Sequence, residues 1–293
     1  MSKSGGNAFT RQNGPSVAVD VLLFAVGRQE PENYRKLPEH VLQVFLIKQS
    51  EIPFIGQWAL PGGGVGPREC LDEAAYRQLA SKTHVSNVYM EQLYTWGDLH
   101  RDPRTRVISC SYIALTDKPS EKIRDGEDAR WFTVRRKVIE QREEITEKGY
   151  MLREKILIQL FAEGVTLRTV INTVKTVEGK ISRVWRETVE PGGIAFDHAL
   201  ILECGIERLR SKLAYTEIAF NLMPEYFTLT ELQQVYEAVL DKKLIKANFR
   251  RKMAGFLRET SLMTKDDGHR PAKLHCFKPG DDRHPWFKPG WMN

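Results

Sequence analysis

The sequence predicts an α+β domain followed by a winged helix, and three observations carry this prediction. Over the first 134 residues, apolar and β-branched runs that suit buried strands surround a single helix. This order differs from a regular βαβ repeat and is typical of α+β folds. Beyond residue 228, a helix leads into a basic helix and a basic hairpin, which together outline a winged helix. The length of 293 residues also suits two domains.

The strands of the first domain are predicted from apolar and β-branched runs that are bounded by turn residues. The first two form a hairpin or lie side by side in one sheet, and the third runs into a glycine-rich loop. The helix, residues 68–82, has Leu71, Ala75 and Leu79 at helical spacing. The predicted strands are residues 16–26, 41–48, 58–65, 89–96, 106–115 and 129–134.

Residues 135–194 contain no motif to which a chemical role can be assigned. Helix signals predict a helix within residues 138–162. Two segments that alternate like strands, 165–177 and 180–189, predict a hairpin around the turn Glu178-Gly179.

The C-terminal region is predicted to begin with helices. Residues 196–213 have apolar side chains at a helical period, which suits a linking or dimer helix. Thr228 and Glu231 have the spacing of a capping box, which opens a helix over residues 229–240. A second, basic helix and a hairpin complete the winged-helix outline.

Composition excludes several classes of protein. No run of 18 uncharged apolar residues is present, which argues against a membrane span. Residues 1–14, which we expect to be disordered, lack the apolar core of a secretory signal. The four cysteines are widely spaced without a CxxC pair, so we expect reduced thiols in the cytoplasm rather than disulfides or a zinc finger.

Positive charge is concentrated at the C-terminal end. Residues 241–293 carry 13 Lys and Arg against 6 Asp and Glu, whereas the other 240 residues carry 31 against 32. This asymmetry indicates an acidic partner, with nucleic acid the first candidate. The alternative is a solvated basic surface that aids solubility.

The segment from residue 63 to residue 85 resembles the Nudix box, G-x5-E-x7-R-E-U-x-E-E-x-G-U, where U is a bulky aliphatic residue. The preceding Trp58-Ala-Leu-Pro-Gly-Gly is also typical of that family, whose fold is an α/β/α sandwich with a mixed sheet. Five positions match the box: Gly63, Glu69, Arg77, Leu79 and Val85. Four depart from it: Gln78, Ser81 and Lys82 where the box has Glu, and His84 where it has Gly.

The departures fall where metal ligands belong. Positions 78, 81 and 82 share one helix face, where carboxylates would converge on Mg²⁺. Gln78 is a weaker ligand, Ser81 is short, and Lys82 adds a positive charge, so we expect no metal, no cofactor and no catalytic residue. Two alternatives are a chance match on an ordinary strand-loop-helix and residual hydrolysis through Asp72 and Glu73.

The basic helix, residues 246–256, predicts a nucleic-acid interface, because its apolar residues suit a core and its basic residues face away. Asn248 suits adenine, and Arg250 or Arg251 suits guanine. Arg270 is expected at a wing tip that enters a minor groove. Taken singly, each is a solvated charge or a phosphate contact. The candidate DNA-binding residues are Lys246, Asn248, Arg250, Arg251, Lys252, His269, Arg270 and Lys273.

A degenerate Nudix domain followed by a winged helix resembles the Nudix-related transcriptional regulators of the NrtR type. That resemblance implies a homodimeric repressor of NAD metabolism genes, with a palindromic double-stranded DNA operator and ADP-ribose as the small-molecule effector. Other members of the group sense sugars, which leaves the ligand open. The segments that carry the likeness are residues 56–63, 96–104, 195–198, 227–232, 248–252 and 268–279.

Four residues are candidates for the effector pocket. Trp58 suits stacking on a base or ribose, Arg77 and Arg101 suit pyrophosphate oxygens, and Asp98 suits ribose hydroxyls. Each has a structural alternative. For Trp58 it is the core, for Arg77 an ion pair with Glu69 or Glu73, for Arg101 a pair with Asp102, and for Asp98 a turn cap. His198 is expected to be a satisfied histidine between the domains.

We therefore divide the chain into a disordered tail (1–14), a Nudix-like effector domain (15–205, with 135–194 an atypical insertion) and a winged-helix domain with a short tail (206–293). The predicted function is a cytoplasmic DNA-binding regulator that does not contact membranes. The rivals are an active pyrophosphohydrolase of ADP-ribose-like nucleoside diphosphate derivatives and an RNA-processing factor.

Overall fold

The computed structural model describes residues 14–29, 39–83, 85–117, 128–213, 216–264 and 271–278. Of the predicted disordered tail (1–14), residues 1–13 lie outside these ranges. His84, His269 and Arg270 also lie outside them. The strands are β1 (Ser16–Gln29), β2 (Glu39–Lys48), β3 (Trp58–Ala59), β4 (Gly62–Gly64), β5 (Tyr89–Trp96), β6 (Val107–Leu115), β7 (Ala129–Thr146), β8 (Gly149–Ala162), β9 (Val165–Glu178), β10 (Ile181–Glu190), β11 (Leu257–Met263) and β12 (Lys273–Phe277). The helices are α1 (Leu71–Thr83), α2 (His198–Leu213), α3 (Leu229–Leu240) and α4 (Lys246–Met253), with short 3₁₀ helices at Ile218–Leu222 and Ala254–Phe256.

One mixed sheet organises the described part of the chain. Its strand order is β10-β9-β8-β7-β2-β1-β6-β5, with β3 beside β2 and β4 beside β1. The β1 and β6 strands are parallel, and the other neighbouring pairs are antiparallel. The first two predicted strands are therefore antiparallel neighbours, and the predicted α+β class is confirmed.

Both faces of the central sheet are covered. Side chains of a strand point alternately to opposite faces, and in β1 Val19, Val21 and Leu23 belong to the core under α1. Leu22 and Phe24 belong to the core under α2. These two cores produce the predicted sandwich.

A glycine allows α2 to lie close to the sheet. A Cβ atom on Gly205 would lie 2.0 Å from Leu22 Cδ2, far inside contact distance. The absence of a side chain at this point therefore sets the spacing between helix and sheet.

The predicted helix within residues 138–162 is wrong. These residues form the second half of β7 and all of β8, which pair with each other, and the sheet continues through β9 to β10. Glu, Lys, Arg and Leu favour helices locally, but pairing with neighbouring strands outweighs this preference. The predicted hairpin is confirmed, with Gly179 at its turn in the left-handed region (φ 57°). The atypical residues thus extend the same sheet, and we call β7–β10 the extension.

The C-terminal module has the predicted winged-helix order. The Thr228 side chain accepts from Glu231 N at 3.1 Å, and the Glu231 side chain accepts from Thr228 N at 2.7 Å. The predicted capping box is therefore present. The helix predicted over residues 246–256 is an α-helix, α4, that ends at Met253 and is followed by a 3₁₀ turn over Ala254–Phe256. The hairpin of β11 and β12 forms a separate two-stranded sheet.

A continuous hydrophobic core joins the two modules. It includes Phe24 and Phe132 of the sheet, Ile206 of α2, Val235 of α3 and Phe249 of α4. The predicted domain border between residues 205 and 206 falls within α2. Across the described ranges, no helix has both the length and the apolar character that crossing a membrane requires.

Candidate functional site

The α4 helix presents polar and basic side chains to solvent. Phe249 and Met253 are buried, and Phe249 packs edge-on against Tyr236 of α3 with ring centroids 5.2 Å apart. Burial of these two side chains fixes the rotation of the helix about its axis. The exposed residues on it include five of the predicted DNA-binding residues: Lys246, Asn248, Arg250, Arg251 and Lys252.

Two contacts organise side chains in this surface. Arg251 Nη2 donates to Asn248 Oδ1 at 3.2 Å, so these two residues form one polar unit on α4. Lys273 of β12 forms an ion pair with Glu259 of β11 across the hairpin. The structure therefore places Lys273 on the wing rather than on α4. The predicted contacts of His269 and Arg270 lie outside the described residues.

The glycine-rich loop lies directly against β1. Gly62 to Gly64 pair with Asp20 to Ala18. A Cβ atom on Gly62 would lie 2.4 Å from Asp20 Oδ1 and 2.6 Å from Val19 O. Only glycine fits at this position, because the second contact is with backbone.

Glu69 and Arg77 close the loop onto α1. Glu69 Oε1 accepts from Gly66 N at 2.6 Å, and Arg77 donates to both oxygens of Glu69 at 2.5 and 2.8 Å. Arg77 also donates to Gly64 O at 3.1 Å. The hydrogen bonds from Arg77 and Gly66 lower the pKa of Glu69 to about 2. Arg77 thus forms the ion pair with Glu69 that was the alternative to binding of pyrophosphate by Arg77.

The three non-glutamate positions of the box differ in exposure. Gln78 is buried, whereas Ser81 and Lys82 are exposed. In the amide orientation that satisfies both neighbours, Gln78 donates to Gly62 O at 3.1 Å and accepts from Arg77 Nη1 at 3.0 Å. Ser81 donates to Gln78 O at 3.1 Å.

This donor set does not fit Mg²⁺, which is bound through one or two available carboxylates together with substrate phosphates and water. The one carboxylate of the box, Glu69, already accepts three hydrogen bonds. Nearby, Glu73 accepts from Cys70 N at 2.8 Å and Asp72 accepts from Tyr112 OH at 2.6 Å. Within the described ranges, no group of three His, Cys, Asp or Glu residues is arranged to hold a metal ion.

Trp58 and Asp98 make the structural contacts that were the alternatives to ligand binding, packing in the core for Trp58 and capping of a turn for Asp98. Trp58 is 4% exposed and packs edge-on against Phe132 with ring centroids 4.8 Å apart. Asp98 Oδ1 accepts from His100 N at 2.8 Å, which caps the turn after β5. The roles of Trp58 and Asp98 in ligand binding remain predictions.

Arg101 is buried in a network of charges. Its guanidinium donates to both oxygens of Asp197 at 2.6 and 2.8 Å and to Asp20 Oδ2 at 3.3 Å. The alternative pair with Asp102 is wrong, because Asp102 binds Arg104 at 2.8 Å. Binding of a pyrophosphate by Arg101 stays a prediction, and the present contacts use its guanidinium to join β1 to the start of α2.

Asp20 is the centre of this network. Burial tends to raise its pKa, but His198, Arg101 and Ser109 together lower it to about 2. Ser109 Oγ donates to Asp20 Oδ2 at 2.6 Å. His198 Nδ1 accepts from Leu60 N at 3.0 Å, and Nε2 lies 3.4 Å from Asp20 Oδ1. His198 is therefore satisfied, as expected.

Asp20 and Asp197 were not among the residues predicted to belong to a site. A signal was available for Asp20, since an aspartate within an otherwise apolar strand requires a buried partner. The structure brings Trp58 and Arg101 to the same segment, because Ala195 N donates to Trp58 O at 2.8 Å and Asp197 binds Arg101. Arg77 lies instead beside Gly64 of the glycine loop.

Comparisons with known proteins agree with this architecture. Residues 219–277 match the NrtR DNA-binding winged helix domain, and residues 35–153 match the NUDIX domain. The solved structure of Shewanella oneidensis NrtR complexed with a 27mer DNA is 28% identical, with a TM-score of 0.58, over 89% of this chain and 93% of that one. The ADP-ribose pyrophosphatase of Methanocaldococcus jannaschii is 32% identical over 40% of this chain and 59% of its own.

A full-length relative identifies the family. The ADPR responsive transcriptional repressor NtrR of Acinetobacter baylyi is 30% identical over 90% of this chain and 82% of its own. The similarity thus spans the Nudix-like sheet, the extension and the winged helix together. On these grounds, the chain belongs to the family of Nudix-related transcriptional regulators of the NrtR type.

Proposed function

We propose that this protein is a DNA-binding transcriptional repressor of NAD metabolism genes, and that its Nudix-like domain binds ADP-ribose as effector. It acts as a cytoplasmic homodimer on a palindromic operator. Its repressor relative in Acinetobacter responds to ADP-ribose, and a structural relative was solved with DNA.

The observation that carries the DNA-binding half is the exposed basic face of α4. Lys246, Arg250, Arg251 and Lys252 are all exposed there, while Phe249 anchors the helix in the core. A helix held in this way can enter a major groove without losing packing. Its charges suit phosphates, and the Asn248–Arg251 unit suits base edges.

The effector half is proposed to bind its ligand without hydrolysing it. Hydrolysis of a pyrophosphate in a Nudix site needs Mg²⁺, and the matching positions of the box offer one carboxylate, Glu69, which Arg77 already binds. Lys82 adds a positive charge to the same face. The test is a long incubation of the protein with ADP-ribose and Mg²⁺. Recovery of the intact nucleotide supports a sensor, whereas release of AMP supports the pyrophosphohydrolase.

The homodimer is supported by an apolar surface on the extension. Ile181 and Trp185 of β10 are each 55% exposed, and they lie on the same face of the strand. Exposed apolar patches of this kind are typical of protein interfaces. We expect Trp185→Glu to convert a dimer to a monomer in light scattering, with Lys180→Glu, an exposed residue at the hairpin turn, as the control. A wild-type monomer, or a dimer in the Trp185 variant, would contradict this assignment.

The operator can be found without knowledge of the genes. Selection from a random library of duplex DNA should enrich inverted repeats whose half-sites are spaced by helical turns, because a two-fold dimer presents two α4 helices. Anisotropy with the selected duplex should then change when ADP-ribose is added. Enrichment of no sequence, or equal binding to single-stranded RNA, would overturn the proposal.

A further inference from the structure

The extension and α2 line an open cavity that shares no residue with the glycine loop. Its volume is about 400 Å³, which lies within the ~300–1,000 Å³ range of small-molecule sites. Two rows of paired residues form its floor: Glu154, Thr173 and Arg186 in one row, and Leu152, Lys175 and Val184 in the next. Glu207, Arg210 and Ser211 of α2 lie opposite, and Arg136 of β7 completes the lining.

Positive charge is in excess in this cavity. Four cations line it, Arg136, Lys175, Arg186 and Arg210, against two carboxylates, Glu154 and Glu207. Two of the cations already have acidic partners on α2. Arg136 binds Glu203 through hydrogen bonds of 2.7 to 3.0 Å, and Arg186 binds Glu207.

The other two cations lack such partners. Lys175 and Arg210 form no ion pair with any residue that the structure describes. Burial and the neighbouring Arg136 lower the pKa of Arg210 from its usual value. Asp241 and Glu203 oppose this change in pKa without cancelling it.

A buried hydroxyl group provides a second, independent observation. Thr173 is 4% exposed, and its Oγ1 has no hydrogen-bond partner among the described residues. The Nε atom of Arg186, in the same row, is also buried without a partner there. Unpaired buried polar atoms are costly and uncommon in native proteins, and here two of them belong to residues that line one cationic cavity.

We propose that this cavity binds a phosphate-type oxyanion, either orthophosphate or the phosphoryl group of a small metabolite. Thr173 Oγ1 and Arg186 Nε donate to its oxygens, and Lys175 and Arg210 supply the charge. The site is separate from the glycine-rich loop. It also adjoins the winged helix, because Arg210 Nε donates to Val239 O of α3 at 2.8 Å.

The test is a thermal-shift titration of the full chain with sodium phosphate, against sodium chloride at matched ionic strength. We expect a saturable rise in melting temperature for the wild type. Thr173→Val should leave the melting temperature without phosphate unchanged or higher, because it removes an unpaired hydroxyl group. The same variant should weaken phosphate binding at least fivefold. If Thr173 had only a structural role, its replacement would not weaken phosphate binding while leaving the melting temperature without phosphate unchanged.

Lys175→Met should weaken phosphate binding as Thr173→Val does, whereas Lys180→Met, at the exposed turn of the same hairpin, should bind as the wild type. Ribose 5-phosphate in place of phosphate distinguishes the two sources. Tighter binding assigns the rest of the cavity to a sugar, and equal binding assigns the site to orthophosphate. No saturable shift up to 20 mM of either anion, or wild-type binding by both cavity variants, would overturn the proposal.

Discussion

Asp20 gives the structure a pH dependence that can be measured. Its pKa in the folded protein is about 2, below the ordinary value of 3.8. A lowered pKa means that the contribution to stability is complete above about pH 4 and is lost as the pH falls through 2. The shift corresponds to about 2 kcal/mol. We expect Asp20→Asn to reduce stability at pH 7 and to flatten the curve between pH 4 and 2.

Denaturant unfolding at several pH values checks this expectation. Asp128→Asn is the matched control, because Asp128 is exposed. If the two variants had the same pH dependence, the role assigned to the buried network would be wrong.

Arg251 is the residue of α4 whose loss should affect DNA most. Its side chain holds Asn248 in place as well as carrying charge. Arg251→Ala should weaken operator binding by about 1–3 kcal/mol if it contacts a base. Lys180→Ala removes another exposed charge, at the hairpin turn of the extension, and should bind as the wild type. Normal DNA binding by Arg251→Ala would remove α4 from the interface.

Residue types predicted chemistry better than they predicted partners. The loss of metal ligands at positions 78, 81 and 82 could be predicted from the sequence, because the ability to bind a metal follows from side-chain chemistry. The partners of Arg101 could not be predicted from the sequence, since Asp20 and Asp197 are 81 and 96 residues away along the chain. Only the folded sheet brings such groups together.

At the scale of elements, a buried ion pair holds the extension to α2. Glu203 is fully buried, and Arg136 of β7 binds both of its oxygens. Burial raises the pKa of Glu203, against the opposing effect of Arg136. Arg136→Met should therefore destabilise the protein by about 3–5 kcal/mol, because it leaves an unpaired buried carboxylate.

The double substitution Arg136→Met with Glu203→Met separates the ion pair from the packing around it. We expect it to recover much of the lost stability, since no unpaired charge remains. Thermal unfolding measures both variants. Additive losses in the double variant would mean that the two side chains act independently.

The extension also marks the limit of prediction from local sequence. The capping box and the turn at Gly179 were predicted because each depends on a few adjacent residues. The strands over residues 138–162 were not, because these residues favour helices locally and their pairing within the sheet decides the outcome.

At the scale of the whole molecule, the shared core should make unfolding cooperative. Ile206 of α2 belongs to the same cluster as Phe132 of the sheet and Val235 of α3. We therefore expect one transition in scanning calorimetry, with equal calorimetric and van't Hoff enthalpies. Two resolved transitions would contradict the shared core.

The central claim is that the Nudix-like domain senses a nucleotide that it does not cleave. The most direct test is calorimetric titration of the protein with ADP-ribose in the presence of Mg²⁺, followed by chromatography of the cell contents for AMP. We expect saturable binding and recovery of intact ADP-ribose. Continuous heat with AMP accumulating would contradict it and identify an enzyme, and no heat at either of two temperatures would exclude ADP-ribose as the effector.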